Sequence, residues 1–230
     1  MPAGPLRAFL IVDIDRLRKA YPGALNNEGR AVRPRRVRRD RYPDYATLAR
    51  HEAEGRDYRI VERYLPRSPF AVIAPHAGGI ERGTSSVASL LAGTEFSLYL
   101  FEGLKTGNNF ESLHITSRRF DEPRCLAMVA QHEVIVTVHG CVGAGEFICL
   151  GGLHEILKSK MAVYLRASGF DARTEGHNFP AVDPDNLCNR GRSGGGVQLE
   201  LSAGFRRRRQ YRALTDSLRE CLFATLSPVP

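Results

Sequence analysis

The sequence predicts an α/β fold built on an open, mixed, largely parallel sheet with helices on both faces. Three observations predict it. The runs 70–74 (Phe-Ala-Val-Ile-Ala) and 134–138 (Val-Ile-Val-Thr-Val) are short, continuous and apolar, as strands covered on both faces are. Stretches able to form helices, at 85–91, 123–131 and 153–168, alternate with such strands. His76, His114 and His139 stand at or near the carboxyl ends of predicted strands, where open α/β sheets gather ligands.

Taken in order, residues 45–50 predict a short helix and 58–64 an edge strand. The strand 70–74 is expected to end at Pro75, which cannot donate to a ladder. Gly78 and Gly79 then fold the chain back, and Thr84 is placed to cap the helix 85–91. A second strand, 96–101, ends at Glu102 and leads into the polar turn 103–109, and 112–116 reads as a third, short strand. Asp121 or Glu122 complements the dipole of the helix 123–131. The strand 134–138 runs straight into His139-Gly140-Cys141. A buried strand at 147–150 turns at Gly151-Gly152 into the helix 153–168, which stops at Gly169. Residues 171–196, rich in Asp, Pro, Asn and Gly, form a long irregular segment of the kind that carries or covers a site. In 197–202, Val197, Leu199 and Leu201 share one face and Gln198, Glu200 and Ser202 the other. An amphipathic terminal helix spans 205–224.

With 230 residues the chain buries a substantial core, and 43% hydrophobic against 25% charged residues excludes global disorder. The net charge of +8 is concentrated. Residues 1–43 hold ten arginines and one lysine against four acids, a net +7 that leaves about +1 for the body. Two parts are therefore expected: a basic, solvated extension over 1–43 and a folded domain over 44–230. The five cysteines, at 125, 141, 149, 188 and 221, are odd in number and contain no CxxC pair, which fits free thiols rather than a disulfide framework. No apolar run approaches the roughly 18 residues of a membrane span. The apolar patch 6–14 is interrupted by Asp13 and followed by Asp15, a poor signal peptide. The expected location is the cytoplasm, or outside the cell after lysis.

His76, Glu81 and His139 stand out as candidate metal ligands. Two follow strong strands, and the third lies on the loop that one of those strands feeds. A two-histidine, one-carboxylate set leaves a fourth tetrahedral position for water, as catalytic zinc requires. Glu200, on the polar face of its strand, is the natural proton carrier beside that water. Each residue also has an ordinary reading. Glu81 serves equally as a capping acid in a glycine-rich turn, Glu200 as a solvent-facing residue and Arg190 as a loop arginine. His51, His132, His154 and His177 show no metal-like setting.

The matching motifs are Pro75-His76-Ala77-Gly78-Gly79-Ile80-Glu81 with Gly83-Thr84, Tyr99-Leu100-Phe101-Glu102-Gly103, Leu113-His114-Ile115-Thr116-Ser117 and Phe120-Asp121-Glu122-Pro123. Val138-His139-Gly140-Cys141, Gly151-Gly152, Cys188-Asn189-Arg190-Gly191 and Gly196-Val197-Gln198-Leu199-Glu200 complete them. Across about residues 44–210 the chain resembles the poly-γ-glutamate hydrolase family, a group also labelled phage-related replication proteins. The resemblance implies a compact, carboxypeptidase-like zinc hydrolase with His76, Glu81 and His139 as zinc ligands and Glu200 as general base. It places His114, Asn189 and Arg190 in shared motifs as substrate-binding residues, with Arg190 gripping a substrate carboxylate. The implied reaction is cleavage of γ-glutamyl amide bonds in poly-γ-glutamate by metal-activated water. Such a polyanion calls for cationic contacts, with Arg82, Arg118, Arg119 and Arg190 as candidates. Ala77 departs from the glycine usual there and would strain the loop if the position needs positive φ. A zinc deacylase of small N-acyl amino acids is the alternative enzyme. A nucleic-acid-binding replication protein, resting on the basic extension and Arg206–Arg209, is the alternative from another class. No membrane or nucleic-acid partner is expected, and the chain is expected to be a monomer.

Overall fold

A computed structural model describes residues 40–226, so the expected basic extension up to residue 39 lies outside the described residues. The helices are α1 (Tyr45–Ala49), α2 (Thr84–Ala92), α3 (Asn109–Leu113), α4 (Pro123–Val129), α5 (Glu155–Ala167), α6 (Ala203–Arg208) and α7 (Tyr211–Leu226). The strands are β1 (Tyr58–Arg63), β2 (Phe70–Gly78), β3 (Ser97–Gly103), β4 (Val134–Cys141), β5 (Phe147–Gly151), β6 (Asp171–Arg173) and β7 (Val197–Ser202). They form one sheet in the order β1-β3-β2-β4-β7-β5-β6. The four central strands, β3, β2, β4 and β7, are parallel. At the flanks β1 runs antiparallel to β3, and β5 antiparallel to β7 with β6 parallel to it.

Apolar side chains leave both faces of the sheet. Val72, Ala74, Val136, Val138 and Leu199 point to one side, under α2, α5 and α7, whose Leu91, Leu165 and Leu218 are buried there. Ala71, Ile73, Tyr99, Phe101 and Ile135 point to the other, against Leu48, Leu113 and Met128 of α1, α3 and α4. Truncating any one of these leucines to alanine costs about 2–5 kcal/mol. On that second side the apolar cover stops at the ends of β4 and β7. There Thr137, His139, Gln198 and Glu200 are buried but polar. Among the described residues no helix is long and apolar enough to cross a membrane.

Four local expectations are corrected. Pro75 does not end β2, which runs on to Gly78. Pairing with β4 stops at Ile73, and pairing with β3 shifts register between Ala74 and Ala77, so Pro75 falls in a bulge where no ladder donor is needed. Thr84 is not a cap. It is the first residue of α2, after Gly83 at φ 98°, and its hydroxyl donates to the Glu81 carbonyl at 2.8 Å. The strand expected at 112–116 is the end of α3 followed by irregular chain. Leu113 and Ile115 mimic strand alternation because both pack into the second core. The terminal helix is two helices, broken at Arg209, which has φ 57°. Ala77 avoids positive φ, which falls on Gly78 at 63°. A Cβ on Gly78 would come within 2.7 Å of the Gly103 carbonyl.

Residues 40–43 pack on the body: buried Tyr42 donates its hydroxyl to Glu52 at 2.9 Å. All five cysteines are free and buried.

Candidate metal centre

The bulge decides where His76 points. Without it, His76 would follow Val72 and Ala74 to the first side of the sheet. The extra residue hands that side to Ala77, which joins its core, and turns His76 to the second side beside His139. The loop after β2 closes with the Glu81 amide donating to the His76 carbonyl at 2.9 Å. Glu81 Oε2 in turn accepts the Gly140 amide at 2.8 Å, which ties this loop to β4.

His76 Nδ1 and His139 Nδ1 lie 3.1 Å apart. Glu81 Oε1 is 3.5 Å from the first and Oε2 3.8 Å from the second. Donors held at about 2.0–2.1 Å in a zinc tetrahedron are about 3.3 Å apart, so the trio fits such an ion. Two imidazole nitrogens this close cannot both present lone pairs to each other, so a hydrogen-bonding proton or a metal lies between them. Burial disfavours charge on His76, yet Glu81 outweighs it and holds the pKa of His76 above its ordinary value. Burial and the charge of His76 push His139 down to about 3, so His139 is the neutral acceptor. Burial opposes ionisation of Glu81 too, but His76 and His139 outweigh it and keep the carboxylate charged. Both histidines turn Nε2 outward: His76 donates to the Ile115 carbonyl at 2.8 Å, and His139 lies 3.3 Å from Ser117 Oγ. Such outer partners leave Nδ1 for the cation.

His114 also reaches the centre. With His76 and Glu81 it forms a second donor group whose atoms lie within 4.8 Å of one another. Its ring is stacked between Phe110, at 4.4 Å, and His76, at 4.0 Å. Its Nδ1 donates to Asp40 at 2.7 Å, and Asp40 also binds the Thr116 amide and Arg119. Sequence reasoning missed Asp40, the acid that orients His114, because it sits in a run of arginines.

Glu200 pairs in register with His139 across β4 and β7. It is 7% exposed and accepts from Gln198 Nε2 at 3.0 Å. Burial and the Glu81 charge push its pKa well above the carboxylate range, with Arg206 opposing. Burial and that neighbouring charge thus favour the protonated form of this carboxyl.

Asn189 is corrected. Its amide donates to the Ala181 and Asp183 carbonyls at 2.7 and 2.9 Å, and its oxygen accepts the Leu153 and Gly196 amides at 3.0 and 3.3 Å. No donor or acceptor is left for a substrate, so Asn189 clamps the 181–196 segment. Arg190 Nη1 donates to the Phe120 carbonyl at 2.9 Å. Arg118 and Arg119 pair with Asp183 and Asp40. Arg206 was also missed, hidden in the basic cluster that opens the expected terminal helix. Its Nε, Nη1 and Nη2 donate to the carbonyls of Leu201, Arg82 and Cys141 at 3.1, 2.9 and 3.0 Å. A single guanidinium thus staples the chain just beyond Glu200, Glu81 and His139.

Residues 42–221 match the family model described as poly-gamma-glutamate hydrolase. The chain belongs to that family. Glutamate units joined through the γ-carboxyl are joined by amides, so the family is one of amide-bond hydrolases. Among its relatives is the UPF0714 protein YndL of Bacillus subtilis (strain 168), 39% identical over 170 residues, which are 73% of this chain and 66% of YndL. The SPbeta prophage-derived YoqZ of the same organism is 34% identical over 73% of this chain and 61% of its own. The chain thus spans about two thirds of the length of these curated relatives. A solved bacteriophage poly-gamma-glutamate hydrolase superposes with a TM-score of 0.78 at 32% identity, covering 82% of this chain and all of that one. A zinc-free form of YndL gives 0.77 at 33% identity, again over 82% of this chain and all of the other.

Proposed function

We propose that this chain is a zinc-dependent amidohydrolase that cleaves γ-glutamyl amide bonds in poly-γ-glutamate. The observation that carries the proposal is the convergence of His76 Nδ1, His139 Nδ1 and the Glu81 carboxylate within 3.1–3.8 Å. His76, Glu81 and His139 would hold zinc, which when bound polarises a carbonyl oxygen and acidifies water. The remaining roles belong to the chain. Glu200 removes the proton of the attacking water and returns it to the leaving amine, and its burial suits it to both tasks. His114, fixed by Asp40 and two stacked rings, orients the substrate at the wall of the site. Arg190, anchored through Nη1, keeps its other nitrogens for a substrate carboxylate. The catalytic unit is the folded domain, which begins at Asp40 rather than at residue 44 because Asp40 holds His114.

The experiment is to incubate zinc-loaded protein with poly-γ-glutamate and, in parallel, with a panel of small N-acyl amino acids. Short γ-glutamyl fragments from the polymer, abolished by a chelator, are the expected result. Turnover of the acyl amino acids with the polymer left intact would overturn the substrate assignment.

A further inference from the structure

One strongly basic concavity plays no part in the reading above. It has a volume of about 690 Å³, and its lining includes Arg82, Ser86, Arg206, Arg207, Arg209 and Tyr211 but no acid. Its arginines are not equivalent. Arg206 is committed to three backbone carbonyls. Arg208, in the same run, turns to Glu146 at 2.8 Å. Arg82, Arg207 and Arg209 are exposed and have no acidic partner among the described residues. Three uncompensated guanidinium groups around one hollow make a local positive field in a body whose net charge is close to zero. The hollow adjoins the metal centre through the chain itself, since Arg82 follows Glu81 and Arg206 bonds the Arg82 carbonyl.

We infer that this pocket is an exosite for the carboxylates of a polyanionic chain whose scissile amide lies at the metal centre. The inference rests on the proposed substrate, in which every γ-linked unit keeps a free α-carboxylate. Guanidinium groups take carboxylates through paired, charge-assisted hydrogen bonds. Several exposed arginines acting on one tethered chain add avidity that a single carboxylate would not gain. The exosite thus holds polymer remote from the reacting bond, and short substrates that do not reach it lose its help.

The test measures binding of dye-labelled poly-γ-glutamate to metal-free protein, so that no turnover intervenes. The combined variant carries Arg82→Glu, Arg207→Glu and Arg209→Asn, asparagine being chosen because it tolerates the positive φ of residue 209. Affinity is expected to fall at least about tenfold, and its dependence on salt to flatten. In the zinc-loaded enzyme the loss should appear in KM for long polymer rather than in kcat. A milder variant, Arg82→Gln with Arg207→Gln, should show a smaller loss in the same direction if the charge reversals disturb folding. Unchanged polymer affinity in both variants overturns the exosite. So does loss of binding to a DNA duplex with polymer binding retained, which would make the pocket a nucleic-acid contact. Polymer bound through the pocket but never cleaved would sink the proposed reaction alone. Polymer cleaved with KM indifferent to the charge reversals would sink the exosite alone.

Discussion

His139 and Glu200 are register partners on adjacent parallel strands, so a buried imidazole and a buried carboxyl emerge side by side on one face of the sheet. Glu200 is not among the closely spaced donors, and it accepts a hydrogen bond from Gln198. Replacing Glu200 with glutamine therefore leaves the donor trio intact while removing the base. Zinc content should stay stoichiometric and kcat should fall by about 10²–10⁴, as loss of general-base catalysis does. Metal analysis beside a fragment-release assay checks both halves, and full activity would remove Glu200 from the mechanism.

Zinc has to displace the proton that Glu81 holds on His76. Affinity should accordingly rise by about tenfold per pH unit below the raised pKa of His76 and flatten above it. A chelator competition titration at several pH values reads this directly. His139→Ala should lose its zinc on dialysis at every pH in the series.

Arg206→Ala leaves three carbonyls beyond the functional residues without their donor. It should cost about 2–4 kcal/mol of stability and weaken zinc binding, since the loops bearing Glu81 and His139 come apart. Arg206→Lys should fail to restore either property, because a single ammonium cannot match a fork reaching three separate segments. Added guanidinium should partly rescue the alanine variant's zinc affinity.

Asn189→Ala should lower stability by about 2–4 kcal/mol, with the melting temperature as readout. Asn189→Asp should not rescue it, because a carboxylate cannot donate to the Ala181 and Asp183 carbonyls.

Burial pushes the thiols of Cys141 and Cys188 up to about 12 and that of Cys221 to about 11, from an ordinary value of 9.0. Above pH 9 the unfolded chain loses these protons while the native chain keeps them, so stability should fall as pH rises. Melting temperatures at pH 8 and pH 10 test the sign. A thiol reagent at pH 8 should find no reactive cysteine in native protein and five in denaturant.

The central strands and the donor trio were legible because their signals are local. A β-branched run ending in a histidine marks both a strand and its carboxyl end, and β7 kept the alternation that places Glu200 with Gln198. What stayed hidden depends on contacts between distant segments. The bulge at Pro75 exists only in register with β3, and without it the parity of β2 sends His76 to the wrong side. Arg206 and Asp40 look like members of charged runs until the carbonyls and the imidazole they serve come from elsewhere in the chain. The break at Arg209 leaves no mark, since its positive φ falls on a residue type that rarely adopts it.

The two histidines are 63 residues apart and arrive on different strands, with Glu200 on a third that enters the sheet still later in the chain. No strand–helix unit carries both imidazoles, so a partly built sheet has no complete cage to offer an ion. On the proposed reading, capture of the cation is therefore a closing event in self-assembly: it would act as a brake on the unravelling of finished molecules, and leave the pace at which new ones are made to the pairing of distant strands.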